Sequence, residues 1–338
     1  MRTLALAALL LATTACGGAP QSNQTAAAGE GYDLAAQKAK LAVIQMETDT
    51  SFLTAEERQV VNLLIQASNV MSDIYRAQRD ANWRETRAKI VAEGDALKLE
   101  MFDRYFGPWD ELADKRAFWG SGSMPEGAGF YPTDLTREAF DAYLAANPGE
   151  KAALTSPYTV VVRDGAKLKA IPYSVAYKPE LTKAAALLEK VAAITTNPSL
   201  KKFLSLRAKA FLTDDYYESE LAWMDLKDTP IEVAIGPYEV YTDRLHGQKT
   251  AFESFVTLKD PKESAALDKY KRYLRDMEAN LPVEEGLKNF QRGFESPIAV
   301  AEQIRGGGDN VPGVQTIAFN LPNDERVREA KGAKKVIL

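Results

Sequence analysis

Glu239 and Tyr241 lie two residues apart in the segment Ile235–Val256, IGPYEVYTDRLHGQKTAFESFV. On a strand, residues at that spacing point to one side, so a carboxylate and a phenol would share a face. A buried strand spends its inward positions on Val, Ile or Leu. A Glu and a Tyr together therefore suggest the wall of a polar cleft, against the plainer alternative of a half-solvated sheet face.

Other reactive patterns are weaker. His246, the one histidine of the chain, could poise a proton near neutrality, but its loop position suits an exposed turn histidine. No Gly-x-Ser-x-Gly elbow is present for a serine nucleophile. Gly306-Gly307-Gly308 lacks the Lys-Ser/Thr that completes a phosphate loop and precedes a strand, so a mobile loop is expected. The acidic run Asp214, Asp215, Glu218, Glu220, Asp225 and Asp228 lacks the glycine-centred spacing of a calcium loop and reads as helix-surface charge. Acids are plentiful enough for paired-carboxylate glycosidase chemistry, but no feature points to it.

Ile235, Gly236, Glu239, Tyr241, Asp243, Gly247, Phe252, Glu253, Phe255 and Val256 resemble a segment of the dipeptidyl-peptidase III family of zinc metallopeptidases. A second block, Phe319-Asn320-Leu321-Pro322-Asn323-Asp324 through Arg326, resembles the Asn-x-Pro-Asn segment that lines the substrate cleft of that family. Leu212–Leu226 and Ser156-Pro157-Tyr158 resemble bacterial members, extending the similarity from Thr48 to the end. The resemblance implies part of a two-lobed peptidase that releases dipeptides from peptide amino termini. By position in the motif, Tyr241 would donate a hydrogen bond to the developing oxyanion and Glu239 would pair with the free amino terminus. Asn320 and Asn323 would contact the first residues of the peptide. His246 and Gln248 depart from the family pattern, and Ser296–Pro312 matches bacterial members poorly.

The zinc site of such enzymes resembles other zincins in needing two histidines from one helix and a later glutamate. A single histidine cannot supply them; Cys16 is the only cysteine, and carboxylates alone suit harder cations. The expectation is a chain without bound zinc, the amino-terminal part of such a peptidase and inactive alone. A natural pseudoenzyme, a non-catalytic peptide-binding envelope lipoprotein and a structural lipoprotein are the alternatives. Peptides are the expected partners.

Met1-Arg2-Thr3, the apolar run Leu4–Ala12 and Thr13-Thr14-Ala15-Cys16 read as a lipoprotein export signal over residues 1–15. A membrane-spanning helix needs about 20 apolar residues, more than this run contains. Cys16 would become the lipidated first residue, holding the protein in the bacterial cell envelope facing the periplasm; a plain secretory signal is the alternative. Residues 16–47 read as a flexible tether, rich in small and polar residues to Gly31. Net charge is -5, from 42 basic and 47 acidic side chains, which argues against a nucleic-acid partner.

The elements that must position these residues fall into a helical region, 48–155, and a mixed region, 156–338. Thr54-Ala55-Glu56-Glu57 is a capping box, and the apolar spacing after it predicts a helix to Arg79. Further helices are expected at Lys98–Phe106, Thr136–Asn147, Leu181–Ile194, Ser199–Leu212 and Asp268–Asn280. The glycine-rich turn Gly120–Gly129 would be stapled to the core by Trp119 and Phe130. Tyr158–Val162 and Lys167–Ile171 should form a hairpin whose Asp-Gly supplies positive φ. Ile231–Tyr241, Ala251–Lys259 and a buried Val314–Leu321 are the other strands, and Lys331–Lys335 reads as a solvated helix end. The fold class is α+β, mostly helical with a mixed, barrel-like sheet.

Overall fold

The computed structural model describes residues 32–338, apart from 46, 272, 289, 291–297 and 314–315, with the side chains of 268–271 also left aside. The export signal, Cys16 and the tether as far as residue 31 lie outside the described residues. Further along the expected tether, Leu34–Lys38 is a short helix capped by the Asp33 side chain, and Lys38 pairs with Glu100 at 2.5 Å.

Helix α1, Ala55–Arg79, begins where the capping box requires. Glu57 donates its N–H to Thr54 Oγ1 at 3.1 Å, and the Thr54 N–H donates to Glu57 Oε2 at 2.8 Å. Its apolar stripe, including Val60, Leu64, Ala67, Met71 and Ile74, is buried against helix α5 and the main sheet. The other helices are α2 (Trp83–Glu93), α3 (Ala96–Tyr105), α4 (Arg137–Ala146), α5 (Lys178–Ile194), α6 (Pro198–Thr213), α7 (Tyr217–Met224), α8 (Pro261–Lys271) and α9 (Glu325–Lys331), with shorter helical turns between them. No described helix is long and apolar enough to cross a membrane.

Strands β1 (Thr159–Asp164) and β2 (Lys167–Pro172) form the expected hairpin. Its turn residues are Gly165 and Ala166, and only Gly165 has positive φ, at 60°, so the glycine alone carries the conformation assigned to Asp-Gly. The main sheet has five strands: β3 (Ile231–Glu239), β4 (Ala251–Lys259), β5 (Ile298–Gly308), β6 (Ala318–Leu321) and β7 (Lys334–Ile337), in the order β3-β4-β5-β7-β6. All pairs are antiparallel except β5 with β7, which makes the sheet mixed.

Among the described residues the sheet is open, where a barrel-like arrangement was expected. Pro322 follows β6 and has no N–H with which to extend a ladder. A side chain spans the gap instead: Asn323 Nδ2 donates to the Tyr238 carbonyl at 2.9 Å.

Five further expectations change. Gly306–Gly308 is strand rather than mobile loop, because a Cβ at Gly307 would lie 2.3 Å from the Ser68 carbonyl oxygen of α1. Glycine there lets helix and sheet backbones touch. Lys331 ends α9 at the surface as expected, but Lys334 of the same run is buried in β7 and bonds the Trp223 carbonyl and Glu232 at 2.9 and 3.0 Å. Glu220 of the acidic run pairs with buried Arg207 at 2.6 Å instead of facing water. Asp268–Asn280 divides between α8 and a short helix, Leu274–Ala279. The expected strand Val314–Leu321 shortens to β6 with alternating exposure, residues 314 and 315 lying outside the description.

Candidate functional site

A cleft of about 460 Å³ lies at the end of the sheet where β3 stops and β4 starts. Glu239, Tyr241, Asn320 and Asn323 all line it, with Glu253, Asp309, Asn310 and Phe319. The expected strand face does not bring the first two together. β3 ends at Glu239 after a register shift at Pro237, and Tyr241 stands in the following turn, 79% exposed at the rim. Asn320 is on β6, and Asn323 lies beyond Pro322, with one amide hydrogen already given to Tyr238.

Glu253 and Asp309 complete the acidic wall. Glu253 is buried on β4, opposite Gly308 in the β4–β5 register. Asp309 is the next residue after β5, and its N–H bonds the Phe252 carbonyl at 3.0 Å. Burial, reinforced by Asp309 and Glu239, holds the Glu253 carboxyl well above its usual range. Burial also raises Glu239, with Asp309 adding to it. Asp309 is raised by burial, against the opposing pull of the Tyr75 and Thr242 hydroxyls and the Arg79 guanidinium. Glu253 Oε1 has no hydrogen-bond partner among the described residues. A wall of acids whose ionisation burial suppresses, with an unused acceptor, favours a ligand that brings positive charge and several donors, as an ammonium group does. The amides of Asn320 and Asn323 and the Tyr241 hydroxyl offer both donors and acceptors to a neighbouring polar chain.

The loop from Thr242 to Lys249 is fixed behind this rim. The Asp243 carboxylate accepts from the N–H groups of His246, Gln248 and Lys249, each at 2.9 Å, and from the Tyr131 hydroxyl at 3.1 Å. Lys249 Nζ donates to the carbonyls of Leu154 and Ser156 and to Thr159 Oγ1 at 2.7–2.8 Å. His246 is not the exposed turn residue expected: its Nε2 lies 3.0 Å from Asp141 and its ring packs edge-on against Phe140.

These residues do not fit zinc. The lone histidine is turned to Asp141, the cleft offers carboxylates, amides and hydroxyls but no imidazole or thiolate, and among the described residues no group of three or more metal-ligating side chains is arranged around a point.

A larger cavity of about 830 Å³ lies at the other end of the β3–β4 hairpin, against Phe52, Leu226, Leu258 and Ile298. Its charged floor is already satisfied, because Glu232 pairs with Lys259 at 3.1 Å and with Lys334 at 3.0 Å. The smaller cleft has the free polar groups and is the better candidate.

Glu253 lies within the matching segment, but no sequence pattern alone marks it as part of the cleft. Asp309 was hidden after the triple glycine, in a stretch that matched poorly. The signal for it is the strand-ending glycine itself, followed directly by an acid.

A family model described as peptidase family M49 matches residues 136–338. Dipeptidyl-peptidase III from Caldithrix abyssi is 51% identical, with a TM-score of 0.84 over 90% of this chain and 58% of that one. Dipeptidyl-peptidase III from Corallococcus sp. strain EGB is 38% identical, with a TM-score of 0.83 over the same shares. A protein of Arabidopsis thaliana named Nudix hydrolase 3 is 31% identical over 87% of this chain and 45% of its own length. The chain therefore spans about half the length of the relatives it matches.

Proposed function

The chain belongs to peptidase family M49, and from that premise we propose that it is the peptide-holding part of a zinc-dependent dipeptidyl-peptidase, with the acidic cleft as the site for the substrate's free amino terminus. The observation that carries this reading is the convergence of Glu239, Glu253 and Asp309 with Asn320 and Asn323 in one cleft.

An ammonium group entering the cleft lets the three buried acids ionise together and satisfies the unused Glu253 oxygen. Asn320 and Asn323 then pair with the first peptide units, which measures the chain from its terminus and sets a two-residue register. Tyr241, exposed at the rim, would donate to the oxygen of the scissile carbonyl as charge develops there. Polarisation of that carbonyl is the chemistry a bound zinc would supply in the family, and these residues provide no ligand set for it. Hydrolysis is accordingly assigned to the complete family chain and peptide binding to this part. In the same proposal Cys16 is the lipidated residue, and the protein faces the periplasm from a lipid anchor.

Calorimetric titration with tetra-alanine and with N-acetyl-tetra-alanine tests the reading. The free peptide should bind at least about tenfold more tightly, the order of one charge-assisted hydrogen bond. Equal affinities would remove the amino terminus from the argument.

A further inference from the structure

The residue after Tyr241 ties the cleft to the long helix. Thr242 Oγ1 lies 2.9 Å from the Tyr75 hydroxyl of α1 and 3.3 Å from Asp309 Oδ1. A carboxylate can only accept, so Thr242 donates to Asp309 and receives the Tyr75 proton in turn. Tyr75 is buried, with its ring edge-on to Phe106 at 6.1 Å. One turn further along α1, the buried Arg79 guanidinium sits 5.9 Å from the Tyr75 ring and pairs with Glu111 at 2.7 Å, which Lys115 also pairs. A single phenol is thus held from behind by a compensated cation and faces two parts of the cleft. One is the turn that presents Tyr241; the other is the acid beside Glu253.

Resting on the amino-terminus reading of the cleft, we propose that Tyr75 is a positioning residue that sets the distance between Tyr241 and the acidic wall through Thr242 and Asp309. Tyr75 does not line the cleft, so it acts only through these two neighbours. The groups facing Asp309 are Glu239 and Glu253 from the sheet, Tyr75 and Arg79 from α1, and Lys115 from the loop after α3. The acids oppose its negative charge, whereas the hydroxyls and cations support it. Removing the Tyr75 hydroxyl therefore moves Asp309 toward its protonated form and lets the turn carrying Tyr241 shift.

Tyr75→Phe keeps the ring and its Phe106 contact and deletes only the hydroxyl; Thr242→Val breaks the same relay at its middle. Each is titrated as the 338-residue chain with tetra-alanine and N-acetyl-tetra-alanine between pH 5 and 9, with circular dichroism as the check on folding. Both variants should bind the free peptide about tenfold more weakly. Loss of binding on the acid side should begin at a higher pH than in the parent, and the acetylated peptide should be unaffected. Unchanged affinity and pH profile in both variants would overturn the proposal. So would equal weakening toward both peptides with an unmoved profile, the mark of a packing role alone. If the parent chain itself fails to distinguish the two peptides, the amino-terminus reading falls and takes this inference with it.

Discussion

Glu253 faces Gly308 across the β4–β5 ladder, and the chain turns immediately after that pair so that Asp309 enters the same cleft. The glycine has φ of 70°, and a Cβ there would lie 2.0 Å from the Phe252 carbonyl oxygen. The close backbone contact and the acidic pair are one arrangement: the strand must end on a residue without a side chain for the next carboxylate to reach Glu253.

Gly308→Ala should therefore cost stability and binding together. A forced positive φ with a backbone clash is expected to remove about 2–3 kcal/mol, read as a lower midpoint in urea denaturation. Peptide affinity should fall as Asp309 is displaced, and a variant as stable as the parent would show that the backbone relaxes without cost.

Glu253→Gln should stabilise the protein at neutral pH. Burial raises the folded-state pKa of Glu253, whereas the unfolded chain titrates near 4.3. Above that pH the folded state retains a proton that the unfolded state has released, so this group's contribution to stability falls as pH rises through the window. The glutamine variant removes the penalty: its melting temperature should exceed the parent's at pH 7.5 and match it at pH 4. An equal change at both values would mean that the folded-state pKa of Glu253 is not raised.

Lys249→Met should flatten an opposite slope. Desolvation lowers the Lys249 pKa to about 7, against the attraction of Asp243, while an unfolded lysine titrates near 10.4. Between these values the unfolded chain binds the extra proton, so the Lys249 contribution to stability rises with pH across that interval. Chemical denaturation at pH 6.5 and 9.5 should show the parent gaining relative to the variant, and a constant difference would contradict the assignment.

Arg207 and Glu220 form a buried pair at 2.6 Å, and Arg207 Nη1 also donates to the Ile235 carbonyl at 2.9 Å and the Tyr238 hydroxyl at 3.0 Å, behind the cleft end of β3. Glu220→Gln leaves the guanidinium without its counter-charge and should cost about 3–5 kcal/mol. Arg207→Met combined with Glu220→Gln should cost less than the sum of the single changes, as a double-mutant cycle in urea would show; simple additivity would mean that the pair is not coupled.

Tyr241→Phe and Asn323→Ala separate the two sides of the cleft. Asn323→Ala should weaken tetra-alanine binding several-fold and loosen the contact with Tyr238, visible as faster amide exchange at the end of β3. Tyr241→Phe should leave peptide binding within about threefold, because its hydrogen bond strengthens mainly in the transition state. In the complete family enzyme the same change should lower kcat by about 10²–10³. Unaltered binding in Asn323→Ala would place the peptide elsewhere.

Local rules made much of the fold legible. The capping box at Thr54 and Glu57 placed α1, because both of its hydrogen bonds form within four residues. The β1–β2 hairpin followed from its tight turn, and the β3–β4 pair from strand residues flanking a glycine-containing loop. Glu239, Tyr241, Asn320 and Asn323 were found as candidates from two short motifs, and the cleft contains all four. Only the tertiary structure decided the rest. Asp309 joins Glu253 through strand pairing, a contact between distant segments that no local pattern encodes. Lys334, Glu220 and the triple glycine read as surface charge and loop because composition cannot show what packs against a residue. Their burial depends on Glu232 and Ser68, far away in the chain, and on Arg207 of the preceding helix. The relay from Tyr75 to Asp309 has the same origin: helix, turn and strand end supply one hydroxyl, another and a carboxylate, and they meet only when α1 lies on the sheet.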